Sequence, residues 1–181
     1  WIGFIWASGD QLVEQHIHAL DLALWAMGDI SPLSAMGFGG RDPSLIFGQQ
    51  GNRFSHAVVD YDFGKNRSLM SLAVGENGGS GIIKWGADIY GTKGTLILRP
   101  GAEQEIVGEQ PWKSDVVDES TQIKEQRALY RAIREGRRID AIPALLHSNR
   151  VAILGREACY SGKRISYNWL LKSKQNLFPE G

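Results

Sequence analysis

The stretch GDQLVEQHIHALDLALWAMG, residues 9–28, places a cluster of titratable side chains directly before an apolar segment. Its apolar residues recur at helical spacing, which predicts an amphipathic helix over residues 11–27. These residues are Leu12, Val13, Ile17, Leu20, Leu24 and Met27. Ser8 or Asp10 can cap the start of this helix, and Gly28 can end it. The helix therefore carries polar groups at one end and an apolar face that requires a core.

On a regular helix, Glu14, His18 and Asp21 share one face, because spacings of four and three residues bring side chains together. His16 lies off that face. A Glu four residues before a His can orient the imidazole and raise its basicity, so that His18 can exchange a proton with a substrate hydroxyl. In the simpler alternative, Glu14 and His18 form a solvent-facing pair worth about 0.3–0.5 kcal/mol. The spacing alone leaves both interpretations open.

A metal-bound hydrolase site built from Glu14, His16 and His18 is a third interpretation, and a weaker one. Zinc on a helix typically uses two His side chains four residues apart, whereas His16 and His18 are separated by two. We therefore predict no metal. Cys159 lies among apolar helix residues, which favours a place in the core over a role as nucleophile.

The middle of the chain has the pattern of β-strands. In RFSHAVVDYDFG, residues 53–64, two sets of side chains alternate and face opposite ways. The first set is Phe54, His56, Val58 and Asp60, and the second is Ala57, Val59, Tyr61 and Phe63. Further strands are predicted within residues 68–75, 81–91 and 95–100, and the short glycine-rich turns between them indicate antiparallel pairing. Both sets contain apolar residues, so the sheet has a second apolar face that no helix of this chain is left to cover.

Three residues on the predicted strands are candidates to line a substrate pocket: His56, Lys84 and Trp85. Ordinary sheet surface is the alternative for all three.

The last third of the chain is helical, with helices predicted within residues 120–138 and 143–162. In the first of these, Ile123, Leu129, Ala132 and Ile133 are expected to face a core. Together these elements predict an α+β fold with a largely antiparallel open β-sheet and helices on one face, in a single domain over residues 1–181.

The bulk composition excludes several classes of function. The chain has 20 basic and 20 acidic residues, and a neutral chain has no overall field to attract nucleic acid or an anionic membrane. The glycine-rich stretches do not match the dinucleotide pattern G-x-G-x-x-G or the Walker spacing, so no cofactor-binding residue is predicted here. The sequence begins WIGFIW without an initiator Met, so we expect a piece of a longer protein.

The stretch over residues 9–28 resembles a signature of the Gfo/Idh/MocA family of glucose–fructose oxidoreductases and inositol dehydrogenases. In the carboxy-terminal domain of that family, D-x-x-x-H-x-x-D precedes an apolar helix that ends in Gly. His18 and Asp21 match the family's His and second Asp, and Glu14 stands where the family usually has Asp. Further similar stretches follow in the family's order: SPLSAMGFGGR, IYGTKGTLIL, NRVAILGREACYSGKRIS and YNWLL.

The resemblance implies an NAD- or NADP-dependent oxidoreductase that acts on a sugar, polyol or related carbohydrate. An amino-terminal Rossmann domain, absent from this sequence, would bind the cofactor and carry a catalytic Lys, so the isolated chain is expected to be inactive. By this resemblance His18 transfers the proton, Glu14 orients the His18 ring and binds substrate, and Asp21 supports the site. The extra methylene of Glu14 leaves its role and the identity of the substrate open.

The resemblance also implies a homodimer or homotetramer formed through the sheet face. The alternative from a different class is a non-catalytic module with the same fold, used for dimerisation or binding. NAD versus NADP, the direction of reaction and the compartment stay open. The cytoplasm is the default location, and periplasmic export would require a signal that precedes this sequence.

Overall fold

The computed structural model describes residues 1–42, 51–74, 85–115 and 120–179. The chain divides into two compact units, the first formed by residues 1–84 and 146–181 and the second by residues 85–145. The prediction of one domain over the whole chain stays a prediction.

The first unit contains a four-stranded antiparallel sheet. Its strands are β1 (Ser34–Gly40), β2 (His56–Gly64), β3 (Arg67–Val74) and β8 (Ile165–Ser166), in the order β3-β2-β1-β8. Strands β2 and β3 are joined through Lys65 and Asn66, whose φ angles of 53° and 58° are both positive. Two positive φ angles define a type I′ turn, which matches the twist of paired strands. This turn places β3 directly beside β2.

Strand β2 confirms the predicted alternation of its side chains. Ala57, Val59, Tyr61 and Phe63 are buried against the helices, and the residues between them are more exposed. The core continues into the helices through Leu12, Leu20, Leu24, Val151, Ala152 and Leu154. Gly155 is required at this contact, because a Cβ there would overlap the Tyr61 hydroxyl. The covered face of the sheet is therefore packed closely enough to exclude even a methyl group.

Five of the helices within the described ranges contribute to the first unit. They are α1 (Ile5–Ser8), α2 (Gln11–Glu14), α3 (Ile17–Ala26), α5 (Ile142–Ser161, from residue 146 onward) and α6 (Tyr167–Lys172). The prediction of one continuous helix over residues 11–27 is wrong, since the chain breaks between α2 and α3. His16 N donates to Gln11 O, five residues back, which makes one wide turn of the π type. The His16 ring is largely buried in this turn, with its Nε2 2.6 Å from Ser71 Oγ of β3.

The other face of this sheet, which we call the open face, carries apolar side chains that are 47–68% exposed. They are Met36, Phe38, Met70, Leu72 and Val74. The strand register places Met36, Asp60 and Met70 in one row and Phe38, Val58 and Leu72 in the next. The prediction for Phe54 is wrong, because Phe54 precedes β2 and its ring stacks on Tyr160 of α5. The alternation of β2 does not extend back to it.

The second unit contains its own antiparallel sheet. Its strands β4 (Ala87–Tyr90), β5 (Gly94–Leu98), β6 (Glu105–Gly108) and β7 (Trp112–Lys113) pair in chain order, and α4 (Thr121–Arg134) follows. The described strands thus form two sheets where the sequence predicted one. Alternation predicts which side chains share a face, but it does not specify which strands pair.

The core face predicted for α4 is largely wrong. Ala132 is buried, but Ile123, Leu129 and Ile133 are 50–64% exposed. Helical periodicity identifies an apolar stripe without showing what covers it.

None of the described helices combines the length and the apolar character that crossing a membrane requires. The predicted antiparallel α+β fold with helices on one face of the sheet is confirmed.

Candidate functional site

The predicted site begins at a tight reversal of the chain before α2. Gly9 and Asp10 both have positive φ angles, 79° and 87°. Asp10 is 1% exposed, and its Oδ1 accepts a hydrogen bond of 3.1 Å from Leu12 N. This confirms Asp10 as the N-cap of α2, one of the two residues predicted for that role.

Glu14 ends α2 and pairs with Arg53, a residue that the sequence analysis did not identify. Arg53 Nη1 lies 3.6 Å from Glu14 Oε2, and the two side chains are 4% and 16% exposed. Gln15 Nε2 donates to Glu14 Oε1 over 2.8 Å, and Arg53 Nη1 donates to Ile2 O over 3.2 Å. Within the described ranges, Glu14 Oε2 and Arg53 Nε are buried without a hydrogen-bond partner. The pair is therefore close but incompletely bonded.

His18 lies near the start of α3 and is exposed. The wide turn at His16 separates it from α2, so the argument for a Glu14–His18 pair from regular helical spacing does not hold. Asp21 stays three residues from His18 on α3 and shares its side of the helix. The Asp21 carboxylate accepts a hydrogen bond from Ser148 Oγ of α5. The catalytic and substrate-binding roles of Glu14, His18 and Asp21 stay predictions.

His16 lies apart from this group, as expected from its position in the sequence. Burial lowers the pKa of His16 from its ordinary value of 6.5 to about 4, so the ring is neutral at pH 7. Among the residues with described placement, no three or more His, Cys, Asp or Glu side chains come together to bind a metal.

The residues predicted on the strands are distributed over the chain. His56 is exposed on the open face, where its Nδ1 lies 3.1 Å from Ser55 Oγ. This is the sheet face opposite to the one that the helices cover. Trp85 belongs to the second unit and is 50% exposed, and Lys84 lies outside the described residues. Their proposed contacts with substrate stay predictions.

Cys159 is confirmed as a core residue. It is 6% exposed, and its Sγ lies 3.5 Å from Phe38 O and 3.7 Å from Val58 O. Burial raises the pKa of this thiol to about 12, which keeps it protonated and unreactive at neutral pH.

Helix α5 supplies two side chains that the sequence analysis missed. Tyr160 donates its hydroxyl proton to Asp10 Oδ2 over 2.6 Å, and the pKa of Tyr160 is raised by burial and by the Asp10 charge. Arg156, one helical turn earlier, donates from Nη1 to Gly9 O over 3.1 Å. The four-residue spacing of Arg156 and Tyr160 in GREACY was the available signal, but that spacing does not indicate their partners.

Comparison with known proteins shows the same fold in several oxidoreductases. A UDP-N-acetylglucosamine 3-dehydrogenase from Acidithiobacillus ferrooxidans matches with a TM-score of 0.64 and 16% identity, over 84% of this chain and 48% of that chain. An aldose–aldose oxidoreductase from Caulobacter crescentus, complexed with glycerol, matches with a TM-score of 0.63 and 16% identity, over 87% and 48%. An oxidoreductase from Agrobacterium radiobacter, in complex with NAD+, L-tartaric acid and magnesium, matches with a TM-score of 0.60 and 17% identity, over 85% and 48%.

Scans of protein-family models and of curated proteins returned no match. At 16–17% identity, the structural likeness establishes the fold. The chain therefore has the fold that its resemblance to the carboxy-terminal domain of Gfo/Idh/MocA oxidoreductases implied. It spans about half the length of the oxidoreductases that it matches.

Proposed function

We propose that this chain is the substrate domain of an NAD- or NADP-dependent oxidoreductase that acts on a sugar, polyol or related carbohydrate. The observation that carries the proposal is the fold match over about half of each of two sugar oxidoreductases. The polar residues support it, since an exposed His18 shares a helix face with Asp21, and Glu14 pairs with Arg53 at the end of the preceding helix. Such a group can bind hydroxyls and move a proton.

The described glycine-rich turn at Gly91–Gly94 joins two antiparallel strands, β4 and β5. A dinucleotide site needs a glycine-rich turn between a strand and a helix, so this turn does not fit the cofactor. We therefore place the cofactor on a separate domain of the longer protein and derive no step through it.

The proposed chemistry of this chain is proton transfer and hydroxyl binding. His18 presents an exposed imidazole, which can accept a proton from a substrate hydroxyl. On the same face of α3 as His18, the Asp21 carboxylate accepts from Ser148 Oγ of α5, and we propose that it also binds a hydroxyl of the substrate. Glu14, held beside Arg53, would bind a further hydroxyl of the substrate.

The test compares the longer protein with the chain of residues 1–181. The longer protein is expected to reduce NAD or NADP in the presence of at least one member of a panel of sugars and polyols, measured as absorbance at the nicotinamide band. The isolated chain is expected to show neither reduction nor micromolar binding of NAD. Activity or binding by the isolated chain would contradict this division of roles. A longer protein without turnover on any carbohydrate would favour a non-catalytic binding module.

We also propose that the chain forms a homo-oligomer through the open face. Five exposed apolar side chains on one sheet face are unusual for a soluble monomer and typically mark an interface. A two-fold partner that presents the same face is the simplest cover.

Replacing Leu72 with Glu is expected to dissociate this oligomer, because an unpaired carboxylate would be buried at the centre of the apolar rows. Light scattering at tens of micromolar protein would measure the change in mass. Leu171→Glu is the matched control, since Leu171 is 52% exposed on α6, compared with 63% for Leu72. A monomer mass for the unmutated chain would refute the proposal.

A further inference from the structure

We propose that Asp10 is a positioning residue that holds both members of the Glu14–Arg53 pair in place, with Tyr160 and Arg156 of α5 as its anchors. The link to catalysis rests on the function proposed above, whereas the positioning itself is a property of this chain.

The Glu14–Arg53 pair does not determine its own geometry. The charged atoms lie 3.6 Å apart, which is beyond a hydrogen bond, and neither Glu14 Oε2 nor Arg53 Nε has a hydrogen-bond partner among the described residues. A buried pair with unsatisfied atoms gains little from direct bonding. Its arrangement therefore depends on the neighbouring bonds to Gln15 and Ile2 and on how the two backbone segments are held.

Asp10 adopts a backbone conformation in which glycine would be preferred. Its φ of 87° and ψ of 163° fall in a region that only glycine occupies without strain. Capping by itself does not explain an aspartate here, because glycine at an N-cap costs only a few tenths of a kcal/mol relative to the preferred residues. The carboxylate must therefore form further interactions, and the structure shows them.

Asp10 bonds to the segments that carry both members of the pair. On the side of Glu14, the Asp10 carbonyl accepts from Glu14 N over 2.9 Å, and Oδ1 caps the same helix at Leu12 N. On the side of Arg53, Oδ2 accepts from Phe54 N over 3.2 Å, at the peptide that joins Arg53 to Phe54. One buried residue thus fixes the backbones of both partners.

Helix α5 holds Asp10 in this position through two side chains one turn apart. The Tyr160 hydroxyl donates to Asp10 Oδ2 over 2.6 Å and accepts from Phe54 N over 2.7 Å, and its ring stacks on Phe54 at 3.9 Å. Arg156 Nη1 holds Gly9 O, and a Cβ at Gly9 would lie 2.9 Å from Val13 Cγ1. Two side chains of α5 therefore hold the chain reversal at Gly9 and Asp10 in place.

The first test measures amide hydrogen exchange by NMR on the chain of residues 1–181. Tyr160→Phe removes only the hydroxyl and keeps the ring stack, so exchange at Phe54 should accelerate at least tenfold while the β2 core amides stay unchanged. Asp10→Gly keeps the backbone conformation and removes the carboxylate, so amide exchange at Phe54 and Leu12 should also accelerate at least tenfold. Ser161→Ala, on the exposed end of α5, is the control. Unchanged exchange at Phe54, or equal acceleration of all amides, would overturn the proposal.

The second test uses the longer protein and a carbohydrate that it oxidises. Tyr160→Phe is expected to lower kcat/KM about tenfold. It should lower kcat/KM no further when Glu14→Gln is already present, because both changes would act through the Glu14 carboxylate. Full additivity of the two substitutions would overturn the link to Glu14. If the longer protein oxidises no carbohydrate, the proposed function fails, and the exchange measurement still decides whether Asp10 positions the pair.

Discussion

Replacing His18 with alanine is expected to lower carbohydrate turnover by the oxidoreductase proposed above by on the order of 10²–10⁴-fold, the usual effect of losing a general acid or base. His18 is exposed at the start of α3, so its side chain contributes little to the core. The melting temperature should therefore stay close to that of the unmutated protein. The measurement is kcat and KM under saturating cofactor, together with a thermal unfolding curve.

Trp25→Ala provides the control for this experiment, because Trp25 is 66% exposed on the same helix. It should change neither kcat nor the melting temperature appreciably. Turnover of His18→Ala within a factor of a few of the unmutated protein would contradict the proton-transfer role. An increase in KM with kcat unchanged would contradict it as well, since that pattern indicates loss of binding alone.

The stability of the chain is expected to fall as the pH is lowered from 6.5 to 4, because of His16. Burial lowers the pKa of His16 to about 4 in the folded state, whereas the unfolded state has the ordinary value of 6.5. Between these values the unfolded state binds more protons, so protonation favours unfolding. At 1.36 kcal/mol per pKa unit, the loss reaches about 3 kcal/mol near pH 4 and then levels off.

Urea unfolding at pH 7 and pH 4.5 would measure this effect by comparing the chain with His16→Gln. The glutamine does not titrate but can still bond to Ser71, so the variant should lose less stability between the two pH values. His18→Gln is the matched control, since it makes the same substitution at an exposed imidazole. If the unmutated chain and His16→Gln lost equal stability between the two pH values, burial of His16 would not be the cause of the pH dependence.

From local patterns alone, one can predict correctly which side chains of β2 face the core, where the two long carboxy-terminal helices lie and that Cys159 is buried. The alternation of Ala57, Val59, Tyr61 and Phe63 was sufficient, because a period of two residues sends successive side chains to opposite faces. Helices α4 and α5 begin and end within a few residues of the predicted stretches, since their periodicity and their flanking Gly and Pro residues are local signals.

The partners at the candidate site, in contrast, depend on contacts between distant parts of the chain. Regular helical spacing predicted Glu14 beside His18, but a wide turn at His16 intervenes, and Glu14 lies beside Arg53 instead. The buried His16–Ser71 contact accompanies that turn and joins residues far apart in the chain. The links from Asp10 to Phe54 and Tyr160 are also long-range. Periodicity reports how neighbouring residues are arranged, whereas such contacts depend on how the sheet, α2 and α5 pack together, which no local pattern encodes.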